Sequence, residues 1–139
     1  REKTKITFED SGGAQVMRVI TGKVLSVFGK GREKARSLQL ATPTATIGIR
    51  GTGCYIEAAE TSTYFCLCYG EAEVTPKGDP KQKEVIQTKH HDHPIVINAT
   101  GDKMMAPAAV INHTDAELIM LENSVGRWPP FYGQGGKSY

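Results

Sequence analysis

Two groups of residues in this chain supply donor atoms. Cys66-Leu67-Cys68 offers two sulfurs, and His90-His91-Asp92-His93 offers three imidazoles and a carboxylate, in a sequence with only three cysteines and four histidines. Thiolate and imidazole together are the ligands favoured by zinc, copper and iron. Side chains alternate faces along a strand, so Cys66 and Cys68 point the same way, and side-chain rotation lets both sulfurs reach one ion. Two of His90, His91 and His93 would complete a four-coordinate transition-metal site. Asp92 would serve as a ligand or as the acceptor that fixes a histidine tautomer, and His113, just ahead of a helix cap, is a further candidate. The spacing from Cys68 to His90 follows no zinc-finger rule. Plainer readings stand beside the metal one: cysteines as small apolar residues filling a sheet, histidines as an exposed run before Pro94, or thiols in a redox or disulfide role.

A hairpin must position the sulfurs. Residues 54–58 and 63–69 are short and rich in β-branched and aromatic types, and Ala59-Glu60-Thr61-Ser62 between them suits a turn. Alternation puts Phe65, Leu67 and Tyr69 on one face and Tyr64, Cys66 and Cys68 on the other. Pairing brings Cys54 opposite residues 66–68, so three sulfurs in one small patch are expected, with the register deciding which face Cys54 takes. Cys66 and Cys68 lie about 6.5–7 Å apart in extended chain, at the upper edge of disulfide geometry. A cross-strand disulfide from Cys54 to either is geometrically possible, would suit an oxidising compartment, and would leave one thiol over.

Leading into that hairpin is Leu40-Ala41-Thr42-Pro43-Thr44-Ala45-Thr46-Ile47-Gly48-Ile49-Arg50-Gly51-Thr52, and it closes on Tyr69-Gly70-Glu71-Ala72-Glu73-Val74. A Thr-Pro-x-Ala, an Arg-Gly-Thr, two strands and a glycine that opens a further strand form the pattern of the FecR family, which residues 14–75 resemble. The resemblance implies an all-β periplasmic domain of the bacterial cell envelope, in the best-known members a relay between an outer-membrane receptor and a sigma-factor system. The family's strands do not require Cys66 and Cys68, and the chain beyond Val74 matches no general family pattern. Gly48, Gly51 and Gly53 are no phosphate loop: the dinucleotide spacing is reversed and a strand follows, without a helix N-terminus. They read as a bulge or a close backbone approach. Arg50 reads as a structural ion pair or carbonyl donor, with a ligand-facing cation as the alternative.

Short strands with glycine and proline punctuation make up the rest. Residues 5–8 and 14–20 form a hairpin around Asp10-Ser11-Gly12-Gly13, and Gly22 separates a further arm, 23–28. After a polar loop at 76–83, strand character returns at 84–89, at 95–97 and from Met104, with Pro107 at an edge. Thr114-Asp115-Ala116-Glu117 is a capping box opening the one good helix, about 114–126, with Leu118, Leu121 and Val125 facing the core and Gly126 as its stop. Residues 127–132 read as docking the helix end onto the sheet, with an exposed partner-binding peptide as the alternative, and 133–139 read as a disordered tail.

With 39% hydrophobic and 23% charged residues in 139, the chain fits one globular domain over 1–132, without an apolar run long enough for a transmembrane helix. A net charge of +2 is too small to argue for nucleic acid. Lys30, Arg32, Lys34 and Arg36, interrupted by Glu33 and without aromatics, read as a solvated loop. The chain opens at Arg1 rather than Met, as a processed protein or excised fragment does, so the lack of a leader says nothing of compartment. No nucleophile elbow, His-Glu-x-x-His or paired acidic motif is present, and mid-strand cysteines lack the helix N-terminus that activates a thiol, so no enzyme is expected. The expectation is a mainly β, FecR-like sandwich or solenoid-like sheet with one C-terminal helix. Its function would be sensing or recognition of another envelope protein or a small ligand. The alternative is a metal-binding domain for metal sensing, storage or electron transfer through Cys66, Cys68, His90, His91 and His93.

Overall fold

A computed structural model describes residues 4–11, 14–28, 37–90 and 93–129. The turn at 12–13, the basic run 29–36, His91 with Asp92, and residues 130–139 lie outside the described residues. In chain order the elements are β1 (Lys5–Ser11), β2 (Ala14–Val27), β3 (Ser37–Ala41), β4 (Ala45–Ala58), β5 (Ser62–Pro76), a 3₁₀ turn (Pro80–Gln82), β6 (Glu84–Thr88), β7 (Ile95–Asn98), β8 (Met105–Pro107) and α1 (Asp115–Ser124). The mainly β class with one C-terminal helix agrees with the sequence.

Three long strands, β2, β4 and β5, each run through two halves of a folded-over, barrel-like sheet. In one half, the start of β2 pairs with β1 and, in parallel, with β3. There β3 pairs with the start of β4, which pairs with the end of β5, and β6 follows. In the other half, the end of β2 pairs with the end of β4, then come the start of β5, β7 and β8. Strands that switch halves must bend, and glycines or bulges sit at each bend. Gly22 in β2 has φ of 104° and Gly70 in β5 has φ of 101°, a region open to glycine at little cost. In β4 the register slips between Arg50 and Cys54. Gly22 therefore kinks one continuous strand, where the sequence suggested that it separates two.

Two apolar cores result. Between the halves pack Val19, Leu40, Ile47, Cys54, Ile56, Phe65, Leu67, Val74 and Ile97, all buried. On the outer face of the second half, Tyr55, Tyr64, Cys66, Cys68 and Tyr69 are covered by Leu118 of α1. The helix begins as its sequence dictates: the Thr114 hydroxyl accepts from the Glu117 amide at 3.2 Å, and Glu117 accepts from the Thr114 amide at 3.1 Å. Its buried residues are Leu118 and Glu122. Val125, expected in the core, is 56% exposed, because the helix ends at Ser124 and Gly126, with φ of 76°, turns the chain away.

The motif segment after β3 forms the corner beneath these halves. Thr42 Oγ1 accepts from the amides of Thr44 and Ala45, and also from the Thr63 hydroxyl at 2.8 Å. Thr44 Oγ1 lies 2.7 Å from that of Thr63 and donates to the Ile97 carbonyl at 3.0 Å. Three buried hydroxyls thus tie the entry of β4 to β5 and β7, satisfying one another as buried polar groups must.

Candidate functional site

The site grows from an irregularity in β5. Gly53 pairs with Tyr69 and Cys54 with Leu67, which leaves Cys68 as the extra residue of a bulge. A bulge breaks strict alternation, so Cys68 and its neighbour Tyr69 both turn to the outer face with Cys66. Tyr69 was expected beside Phe65 and Leu67, and the bulge is the reason it is not. The same register corrects the expected patch of three sulfurs. Opposite Leu67, Cys54 points into the core between the halves, and Tyr55 instead lies opposite Cys66. No disulfide joins Cys54, Cys66 and Cys68.

The chain between β8 and α1 crosses this outer face and is fastened to it. Tyr64 donates to the Ala109 carbonyl at 2.6 Å, and both the Tyr55 hydroxyl and the Asn112 side-chain amide donate to Glu57, at 2.7 and 2.6 Å. Asn112 has φ of 59°, a left-handed conformation that asparagine tolerates better than most residues. The reversal delivers His113 inward. Its ring stacks on Tyr55 with centroids 4.6 Å apart and planes at 17°. Nδ1 lies 2.6 Å from the Ile111 carbonyl oxygen. A carbonyl only accepts, so Nδ1 carries the proton and the Nε2 lone pair is directed elsewhere. It faces Cys68 Sγ at 3.4 Å.

Cys66, Cys68 and His113 thereby form a buried group whose ligand atoms all lie within 4.8 Å of one another. Both cysteines are 0% exposed and His113 is 5% exposed. Burial, with Cys66 adjacent, pushes the Cys68 thiol far above its usual range, and burial does the same to Cys54. Without a metal these are neutral sulfurs. Two soft donors and an imidazole held by its second nitrogen could hold a metal ion.

The histidine run is placed differently. His90 Nε2 lies 2.9 and 2.8 Å from the two carboxylate oxygens of Asp115, in the first turn of α1. His93 is exposed and lines a cleft with Ile95, Lys103 and Met105. His91 falls outside the described residues. Among the described residues, His113 is the imidazole brought to the sulfurs. Its one sequence signal was its position beside the capping box.

Sequence reasoning missed a second polar cluster next to the first. Glu122, 3% exposed, accepts from the Tyr69 hydroxyl at 2.8 Å and from Arg127 Nε at 2.8 Å. It sits one turn beyond Leu118, on the stripe that buries a helix, but an acidic residue there reads as surface. Burial and the Glu122 hydrogen bond push the Tyr69 phenol up.

No family model matches the chain, and no curated protein matches it. Two solved structures share its fold, each provisionally described as an anti-sigma factor from Parabacteroides distasonis. The crystal structure at 1.65 Å matches with a TM-score of 0.54 and 15% identity, over 72% of this chain and 43% of that one. The structure at 2.50 Å matches with the same score and identity, over 81% and 56%. This chain thus spans about half the length of the chains it resembles.

Proposed function

We propose that this chain is a FecR-like sensing module of the bacterial cell envelope, periplasmic in location, that recognises another envelope protein or a small ligand and relays the signal without catalysis. The observation that carries this reading is how the motif residues are used. Thr42, Thr44 and Thr63 bond to one another and to backbone, and the glycines bend strands, so the motif builds a rigid platform. The fold likeness to structures described as anti-sigma factors supports a regulatory role. Cys68 and His113 touch as a nucleophile and its base would. Burial of the pair, which pushes the thiol up, supports a reading without catalysis, since a nucleophilic cysteine is characteristically accessible and thiolate in character. No helix among the described residues is long and apolar enough to cross a membrane.

The test is transcriptional. Deleting the gene in its host, and complementing with an exported copy, is expected to shift and restore a set of transcripts that share one promoter class. An unchanged transcript profile, or restoration only by a copy retained in the cytoplasm, sinks the proposal.

A second reading, metal binding for sensing, storage or electron transfer, is favoured by one observation: the convergence of Cys66, Cys68 and His113. Zinc, copper and iron are the candidate ions for such donors. The readings join in a module whose signal is a metal.

A further inference from the structure

We infer that Cys66, Cys68 and His113 are a prearranged three-donor site for one thiophilic closed-shell ion, zinc or copper(I), with His113 supplying the imidazole expected from His90, His91 or His93. The inference rests on the metal-binding reading and deepens it by naming ligands and ion class.

Distances come first. With zinc–sulfur bonds of about 2.3 Å and zinc–nitrogen bonds of about 2.0–2.1 Å, donors around one tetrahedral ion lie roughly 3.5–3.8 Å apart. Cys68 Sγ and His113 Nε2 are already 3.4 Å apart, and the group as a whole lies within 4.8 Å. The remainder is at most about an ångström.

Preparation of the imidazole is the second point. A ligating histidine characteristically donates its other ring nitrogen to a carbonyl or carboxylate, which fixes the tautomer and aims the lone pair. His113 does this through Nδ1 and the Ile111 carbonyl. Tyr55 stacking and the turn at Asn112 fix the ring further. The ring is thereby held with Nε2 toward Cys68 Sγ before any ion arrives.

Donor type sets the ion class. Magnesium, calcium and manganese take oxygen ligands, and among the described residues no carboxylate belongs to the group. Iron–sulfur clusters are held by four thiolates or by two thiolates with two histidines. Zinc and copper(I) are the closed-shell ions that favour thiolate with imidazole, and they share the chemistry: each metal–sulfur bond forms as a thiol gives its proton to solvent, and no electron moves. Two thiolates neutralise zinc but leave its fourth position to another donor. The same three donors complete a trigonal copper(I) centre that carries one negative charge.

The test uses the untagged full chain, reduced, stripped with chelator and kept anaerobic. Zinc is titrated against a chromophoric chelator and copper(I) against a copper(I)-specific one, and cobalt(II) reports thiolate bonding through its sulfur-to-metal charge-transfer absorption. One ion per chain is expected. Cys66→Ala, Cys68→Ala and His113→Ala should each weaken binding at least about a hundredfold, the upper end of what losing a ligand's supporting partner costs. Cys54→Ala and His93→Ala should leave binding unchanged. His113→Gln, which keeps a polar group in the packing, must also lose the ion while circular dichroism shows it folded. If the wild type takes up no more metal than a Cys66→Ala/Cys68→Ala double variant, the metal-binding reading itself falls. If folded His113 variants keep their affinity while His90→Ala or His93→Ala loses it, metal binding stands and this assignment is overturned. Preference for manganese over both zinc and copper(I) overturns the ion class.

Discussion

Replacing Arg127 by methionine measures how far the buried Glu122 carboxylate depends on its partners. That carboxylate, 3% exposed, accepts from Tyr69 at 2.8 Å, from Arg127 Nε at 2.8 Å and from Arg127 Nη2 at 3.4 Å. Methionine keeps most of the arginine stem, and the backbone bond from the amide of residue 127 to the Glu122 carbonyl, at 2.8 Å, survives. What is lost is the compensating charge. Breaking a fully buried ion pair costs about 3–5 kcal/mol. The Arg127 side chain is 40% exposed, so water reaches its half of the pair, and the expected loss is nearer ~1–2 kcal/mol. For a chain of this size that lowers Tm by roughly 3–8 °C. Urea unfolding followed by far-ultraviolet circular dichroism reads it as a lower midpoint at constant slope. A cycle with Glu122→Gln should give a coupling of at least about 0.5 kcal/mol. A loss below about 0.5 kcal/mol, or strict additivity in the cycle, would refute the claim that Arg127 offsets the burial of this carboxylate.

Two further outcomes test the bulge and the sulfurs. A Cβ at Gly53 would meet the Tyr69 ring at 2.5 Å, whereas one at Gly48 would meet nothing within 4 Å. Gly53→Ala is therefore expected to cost about 1–3 kcal/mol, since the ring cannot swing away without giving up Glu122, while Gly48→Ala is neutral or stabilising by up to about 0.5–1 kcal/mol. Equal thermal melts for the two variants would contradict the placement of Tyr69. All three cysteines are 0% exposed, and burial keeps the Cys54 and Cys68 thiols protonated well above neutral pH. Metal-stripped native protein should thus react with a thiol reagent only as fast as it opens, yielding three thiols in denaturant, with little acceleration between pH 7 and 9. Rapid native labelling of one cysteine at pH 7 would show an exposed thiolate and count against the buried site.

The hairpin, the helix with its cap, and the shared orientation of Cys66 and Cys68 were legible because each follows from a local rule: alternation, turn composition, or the Thr-x-x-Glu box. What was not legible depends on register. Whether Cys54 joins the other sulfurs is decided by one residue of slip at Gly53, and no local pattern announces a bulge at Cys68. The histidine donor failed for a related reason. A run of three histidines outweighs a single one by count, yet the single one follows Asn112 in a left-handed turn and precedes a helix that lies over the sulfurs. Glu122 was hidden by its type, because a buried carboxylate is rare unless paired, and its partners Tyr69 and Arg127 lie on a strand and beyond the helix end.

These particulars combine at one place. The bulge sets Cys68 and Tyr69 side by side on the outer face, and α1 answers each from one of its ends: His113 ahead of the cap meets Cys68, and Glu122 in the last turns meets Tyr69. Leu118 fills the space between them. The seated helix and the closed sulfur–imidazole group therefore share one face of β5. An ion held by Cys66, Cys68 and His113 would favour the seated helix by RT ln(1 + [L]/Kd), about 2.7 kcal/mol at a hundredfold excess over Kd. A sensor needs such a coupling between a small ligand and a surface element. If it operates here, adding zinc or copper(I) to the stripped protein slows hydrogen exchange of the α1 amides, which carry no ligand atom, while the amides of β3, in the other half of the sheet, exchange at an unchanged rate. Equal slowing of both would mean that the ion stabilises the whole domain and that α1 carries no signal of its own.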